Sequence, residues 1–183
     1  MKRIAKGRRG FTMAEVLVVT SILTGLGSNS YQGCTEKAHQ VTCFNNLRQL
    51  YTAFQMRMID GELMPQAWFY PPDGHPAREQ YNLANIMVGW GVDKRLLICP
   101  GAPQEIQRRG ICYIYNDRLI GKDLDAVNDA ANTWLLMDIN MATNQVPPAH
   151  LGGYNVLYCD GHVKWVPASQ AINVQAQAVD AQQ

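Results

Sequence analysis

At 183 residues, 47% of them hydrophobic, the chain is long enough for one domain of ordinary size with a core of its own. Its 16 basic and 15 acidic residues nearly balance, but five of the basic ones, Lys2, Arg3, Lys6, Arg8 and Arg9, precede Phe11, and the chain from Phe11 onward holds 11 basic against 15 acidic residues for a net charge of −4. The excess of basic charge is confined to one end, so no nucleic-acid-binding surface and no nucleic-acid partner are expected.

The basic run leads into Phe11-Thr12-Met13-Ala14-Glu15 and then Val16-Leu17-Val18-Val19, with no acid ahead of Glu15. Such a run holds its end of the chain on the cytoplasmic side of a bilayer. Phe11 to Gly27, 17 residues, is the one segment able to cross, at the short end of what spans a hydrocarbon core and weakened by Thr20, Ser21 and Thr24. A carboxylate near the middle of a membrane helix costs roughly 2.5–3.5 kcal/mol, and less near the interface, so Glu15 needs a partner. Cleavage after Gly10 supplies one, because the new α-amino group of Phe11 lies one helical turn away, on the same chain or on a neighbour.

This stretch resembles the class III leader of type IV prepilins and type II secretion pseudopilins: Gly, then Phe-Thr, two residues and Glu, matched by Gly10, Phe11, Thr12 and Glu15. The resemblance implies that a membrane prepilin peptidase cuts after Gly10 and methylates Phe11, and that Glu15 helps the subunit join other pilin-like subunits in a filament of the secretion or pilus type. It also implies a single-pass protein of the bacterial inner membrane with its head in the periplasm, and an extracytoplasmic filament after assembly. A second reading of the same residues stays open. An exported or lipid-anchored binding protein could carry an N-terminus that is only a secretory or twin-arginine signal, with Gly33-Cys34 as the lipid site.

Gly25-Leu26-Gly27-Ser28-Asn29-Ser30 reads as a helix breaker or loosened turn. Helical periodicity returns with Val41, Phe44, Leu47, Tyr51, Phe54 and Met58 as one apolar face, ended by Asp60-Gly61. Within it, Cys43-Phe44-Asn45-Asn46-Leu47-Arg48-Gln49 resembles a Cys-x-Asn-Asn-Leu-Lys-Gln signature that follows the membrane helix in prepilin-like proteins of one bacterial group, with Arg48 at the lysine position. From Met64 the prolines 65, 71, 72 and 76 around Asp73-Gly74 make a turn-rich connection. Tyr81 to Trp90 reads as one short helix, and strands are expected at Leu96–Cys99, Ile111–Tyr115 and Thr133–Met137. The runs Asn155–Cys159 and His162–Val166, joined by Asp160-Gly161, predict a hairpin on a two-residue turn with positive φ at both positions.

That hairpin completes a second motif, His150, nine residues, then Asp160-Gly161. It resembles the C-terminal His-x9-Asp-Gly segment of prepilin-like proteins from planctomycete-type bacteria and their relatives. Together with the leader it extends the resemblance over nearly the whole mature chain. The implied fold class is α+β and pilin-like: a long N-terminal α-helix packed on a small antiparallel β-sheet head. Its parts are a leader (1–10), the helix (11–60, with 11–27 as membrane or filament core and 28–60 amphipathic), the head (61–166) and a flexible tail (167–183).

No cofactor or metal is expected. Zinc at His150, His162, Cys159 and Asp160 fails on spacing, since Cys159 and His162 flank one turn and no second close pair completes four ligands. Calcium is the alternative kept open, because some major pseudopilins bind it through a C-terminal loop and Asp123, Asp125, Asp138 and Asn140 offer hard oxygens, although these residue types also serve turns. His150 and Asp160 are expected to serve the backbone. Cys34 and Cys43 cannot pair on one helix, whereas Cys99 and Cys112 would close a loop over Pro100, Gly101 and Pro103, with Cys159 as a competing partner. No nucleophile–base spacing, phosphate loop or acid pair suggests catalysis, so the chain is read as a structural subunit, not an enzyme.

Overall fold

The computed structural model describes residues 11–67, 81–142 and 147–170. Gly10 with the rest of the expected leader, the connection at 71–76 and the tail beyond 170 lie outside the described residues. The chain divides into two compact units, Met1–Thr35 and Glu36–Gln183.

Helix α1 spans Met13–Ile59, 47 residues, and runs unbroken through Gly25–Ser30, where the sequence suggests a break. Glycine costs about 1 kcal/mol relative to alanine but keeps its N–H, so it weakens a helix without interrupting the hydrogen-bond ladder as proline does. The helix stops where expected. Gly61, at φ +79°, donates to Met58 O while Glu62 N donates to Arg57 O, closing the two bonds of a Schellman motif. No helix among the described residues is long and apolar enough to cross a membrane. Hydroxyl side chains interrupt the apolar run, with Thr20 Oγ1 bonded back to Val16 O at 2.9 Å and Thr24 Oγ1 to Thr20 O at 2.9 Å.

The second unit is α+β. Its sheet is a four-stranded antiparallel meander in chain order, β1 (Tyr113–Tyr115), β2 (Trp134–Asp138), β3 (Gly153–Tyr158) and β4 (Val163–Pro167). Short helices α2 (Leu83–Gly89) and α3 (Gln104–Gln107) precede the sheet. The strand expected at Leu96–Cys99 is instead a 3₁₀ turn at Lys94–Leu97, capped by Asp93 accepting from Arg95 N. Asp93 offers the backbone a local partner that competes with strand pairing.

Along β3 the side chains alternate. Leu157 enters one core with Leu47, Leu50, Phe54 and Leu136, while Tyr154, Val156 and Tyr158 form a second with Trp134 and Val166. The buried face of α1 includes Leu47 and Phe54 as expected, with Phe44, Tyr51 and Met58 packed against the core, but it is broader than the one read in the sequence. It centres on Cys43, Leu47, Leu50 and Phe54, with Gln40 and Asn46 also buried, whereas Val41 is half exposed. A hydrophobicity pattern passes over Gln40 and Asn46 because they are polar and their burial rests on specific partners. Asn46 Nδ2 donates to Ile98 O at 3.2 Å, and Cys43 faces a polar cluster.

The β3–β4 turn also differs from expectation. Only Gly161 has positive φ, at +87°, and Asp160 does not. Gly161 N donates to Tyr158 O and Tyr158 N to His162 O, the pattern of a type I turn followed by a glycine bulge. Asp160 Oδ1 accepts from His162 N at 3.0 Å and meets its Nδ1 at 2.6 Å, which makes the tighter mirror-image turn unnecessary. The mirror-image turn occurs instead at Leu151-Gly152, both at positive φ, where His150 and Gly153 exchange two backbone hydrogen bonds.

Candidate functional site

At the start of α1, Thr12 and Glu15 form a reciprocal cap. The Glu15 carboxylate accepts from Thr12 N at 2.8 Å and from its hydroxyl at 2.9 Å, and Glu15 N donates to Thr12 Oγ1 at 3.3 Å. Phe11 is 86% exposed, and every large apolar side chain from there to Leu23 is at least half exposed. Such a face is one a bilayer or another apolar helix would cover.

The densest chemistry lies in the second unit. Cys43 on α1, Cys99 after the 3₁₀ turn, Asp138 at the end of β2 and His150 before β3 place their ligand atoms within 4.8 Å of one another, and all four residues are buried. Cys99 Sγ lies 3.1 Å from His150 Nε2, Cys43 Sγ 3.4 Å from Asp138 Oδ1, and His150 Nε2 3.7 Å from Asp138 Oδ2.

Each group is positioned by local structure. Asp138 closes β2 and accepts from Asn155 N at 2.7 Å, while Tyr113 Oη lies 3.3 Å from Cys43 Sγ. His150 is pinned by its two bonds to Gly153, and Trp165 Nε1 donates to its carbonyl at 3.0 Å. Gly101 lies against the imidazole: a Cβ there would meet Ala149 O at 2.5 Å and His150 Nδ1 at 2.8 Å. Gly153 has no room either, since a Cβ would meet Val166 O at 2.5 Å and the Trp165 indole.

Electrostatics divide the cluster. Hydrogen bonding from Cys43 and His150 pulls the Cys99 thiol below its ordinary range against the effect of burial. Burial, reinforced by Cys99 and Asp138, pushes Cys43 up. Burial and the neighbouring Cys99 raise Asp138 to about 7. His150 is lowered by burial but raised more by its bond to Cys99 and by Asp138, and ends above its usual value. The arrangement favours charge on Cys99 and His150 and leaves two soft sulfurs, one imidazole nitrogen and one carboxylate facing a common point.

Of the residues singled out in the sequence, His150 enters this cluster, and so does Cys99, but not as half of a disulfide. All five cysteines are free, and Cys99 faces Cys43 and His150 where the sequence suggests a bridge to Cys112. Asp160 and Gly161 shape the turn. Their neighbour Cys159 is buried, and its carbonyl accepts from Tyr51 Oη at 3.1 Å. Asp123 caps a 3₁₀ turn by accepting from Asp125 N at 3.0 Å, so of the oxygens weighed for calcium only Asp138 belongs to the cluster.

Sequence reasoning connects none of Cys43, Cys99 and Asp138 to His150, although it weighs Cys99 for a disulfide and Asp138 for calcium. Positions 43, 99, 138 and 150 contain no close ligand pair, and the only signal in the sequence is that each sits inside a segment with another distinguishing feature. Comparisons of the chain with protein-family models, with curated proteins and with solved structures found no match.

Proposed function

We propose that the chain is a pilin-like subunit of a filament of the type II secretion or type IV pilus kind, cut after Gly10 and methylated on Phe11. The observation that carries this reading is the contrast along α1. Its large apolar side chains from Phe11 to Leu23 are exposed, whereas Leu47, Leu50 and Phe54 on the same helix share a core with Leu136 and Leu157 of the sheet. A helix with an exposed apolar start and a buried continuation suits a subunit that bundles through the first part and folds a head on the second. The finer fold assignment, a pilin-like helix on a small sheet head, rests on the same contrast and on the leader residues.

In this reading the function is structural. Glu15 pairs with an N-terminal amine during docking, and the partners are a prepilin peptidase, like subunits and the inner membrane. The short apolar run favours the filament bundle over long residence in the bilayer. Mass spectrometry of membrane-extracted protein tests it: the expected N-terminus is N-methylated Phe11. A mature chain starting near Cys34, or lipid on that thiol, would establish the exported binding protein instead.

A further inference from the structure

We propose that Cys43, Cys99, Asp138 and His150 form a closed, structural zinc site that ties α1 to the sheet of the head. A tetrahedron with arms of about 2.3 Å to sulfur and 2.0–2.1 Å to nitrogen or oxygen has edges of roughly 3.3–3.8 Å. Three of the six edges, at 3.1, 3.4 and 3.7 Å, fall near that range, the latter two to different oxygens of Asp138, and all four ligand atoms lie within 4.8 Å, so the side chains would close in on a cation by about an ångström at most.

A hydrogen-bonded polar core explains the cluster less well. Two thiols, a carboxylate and an imidazole are all withdrawn from water, yet among the described residues Asp138 Oδ1 has only a thiol as its hydrogen-bond donor and His150 Nδ1 has no partner. Leaving such groups buried together is costly unless something of opposite charge sits among them. A divalent ion supplies it. Thiolate, imidazole and carboxylate are the ligands zinc takes in fours, and burial of all four leaves no open position for water, which marks the site as structural and not catalytic.

On binding, every ligand that still carries a proton, the Cys43 thiol and a charged His150 among them, would give it to solvent, leaving two thiolates, a carboxylate and neutral Nε2 toward the ion. Asn155 N–H on Asp138 and Tyr113 Oη beside Cys43 then steady the ligands. Gly101 leaves the imidazole its seat. The four ligands come from four segments far apart in sequence, so the ion would act much as a cross-link.

The test uses the full chain purified without chelator. Elemental analysis is expected to give one zinc per chain, and cobalt replacement the strong visible bands and thiolate charge transfer of a tetrahedral two-sulfur site. Cys43→Ser and Asp138→Asn are expected to weaken cobalt binding by more than about a hundredfold, beyond the loss typical of groups that only support ligands. His162→Ala and Cys34→Ser, which touch no ligand, are expected to change nothing. Because the decisive readout is on the unaltered chain, a variant that does not fold leaves the test intact. A metal-free chain that takes up no cobalt under reducing conditions overturns the proposal. So does an intact mass two hydrogens low with Cys43 and Cys99 joined, which would make the pair a disulfide.

Discussion

Glu15 accepts hydrogen bonds from both the backbone N–H and the hydroxyl of Thr12, at 2.8 and 2.9 Å, so the acid that ends the Gly10–Glu15 stretch is also the third helical residue of a capping box. Two roles are therefore stacked on one carboxylate. Glutamine keeps the cap, because its amide oxygen still accepts, but it removes the charge. Alanine removes both. If Glu15 pairs with an N-terminal amine during assembly, Glu15→Gln and Glu15→Ala both leave cleavage after Gly10 intact and both reduce filament incorporation severely. If Glu15 serves only to start the helix, Gln assembles normally and Ala alone is impaired, through a frayed first turn. Quantifying processed and filament-bound subunit for the two variants separates these outcomes.

Gly161 is required twice over. Its φ of +87° disfavours any side chain, and a Cβ would run into the Tyr51 ring, whose hydroxyl donates to Cys159 O at 3.1 Å. Gly161→Ala should cost about 1–2 kcal/mol for the backbone alone and more for the collision. In a Tyr51→Ala background only the backbone part remains. A double-mutant cycle read by urea unfolding should show a coupling of at least about 0.5 kcal/mol, and strict additivity would mean that Tyr51 simply moves aside.

Leu151 presents the opposite case. It holds φ +47° beside Gly152 in the turn that anchors His150, and its side chain is 46% exposed. A leucine in this region is strained for no packing return, while asparagine tolerates it. Leu151→Asn is expected to stabilise the fold by about 0.5–1 kcal/mol, seen as a higher denaturant midpoint with unchanged slope. A loss of stability would show that Leu151 is held by contacts its exposure conceals.

The elements legible in the sequence are those set by local chemistry. Gly61 ends α1, the strands fall close to their apolar runs, and Asp160-Gly161 makes a turn, though of another type. The hidden ones depend on tertiary partners. Leu47 and Phe54 of the expected face are buried and Phe44, Tyr51 and Met58 pack against the core, but the polar Gln40 and Asn46 count against burial in a hydrophobic pattern, so the side of α1 that they share with Cys43 and Leu50 is missed. The Asp93 cap overrides the strand tendency of Leu96–Cys99. The buried cluster is the least legible feature, because four residues at positions 43, 99, 138 and 150 have no spacing signature and only the folded core brings them together.

Buried tyrosine sets the alkaline limit of this head. Tyr115 stacks on Phe54, with ring centroids 6.0 Å apart, and its hydroxyl donates to Pro65 O at 3.3 Å. Burial, with Cys159 and Asp117 adding to it, holds its phenol well above the ordinary value near 10. Above that pH the unfolded chain loses the proton while the folded chain keeps it. The folded state then binds more protons, and stability falls as pH rises, by about 1.4 kcal/mol per unit for one such group. Below pH 10 both states hold the proton and Tyr115 adds no slope. Tyr154 and Tyr158 are also raised by burial, so they steepen the same limb. Tyr115→Phe should therefore cost about 1 kcal/mol at neutral pH, for the donor lost to Pro65 O, yet lose stability more slowly than the parent chain between pH 10 and 11. Unfolding midpoints measured across that interval decide the matter: parallel curves for the two chains would mean that Tyr115 ionises while folded, and its phenol would then have to reach water.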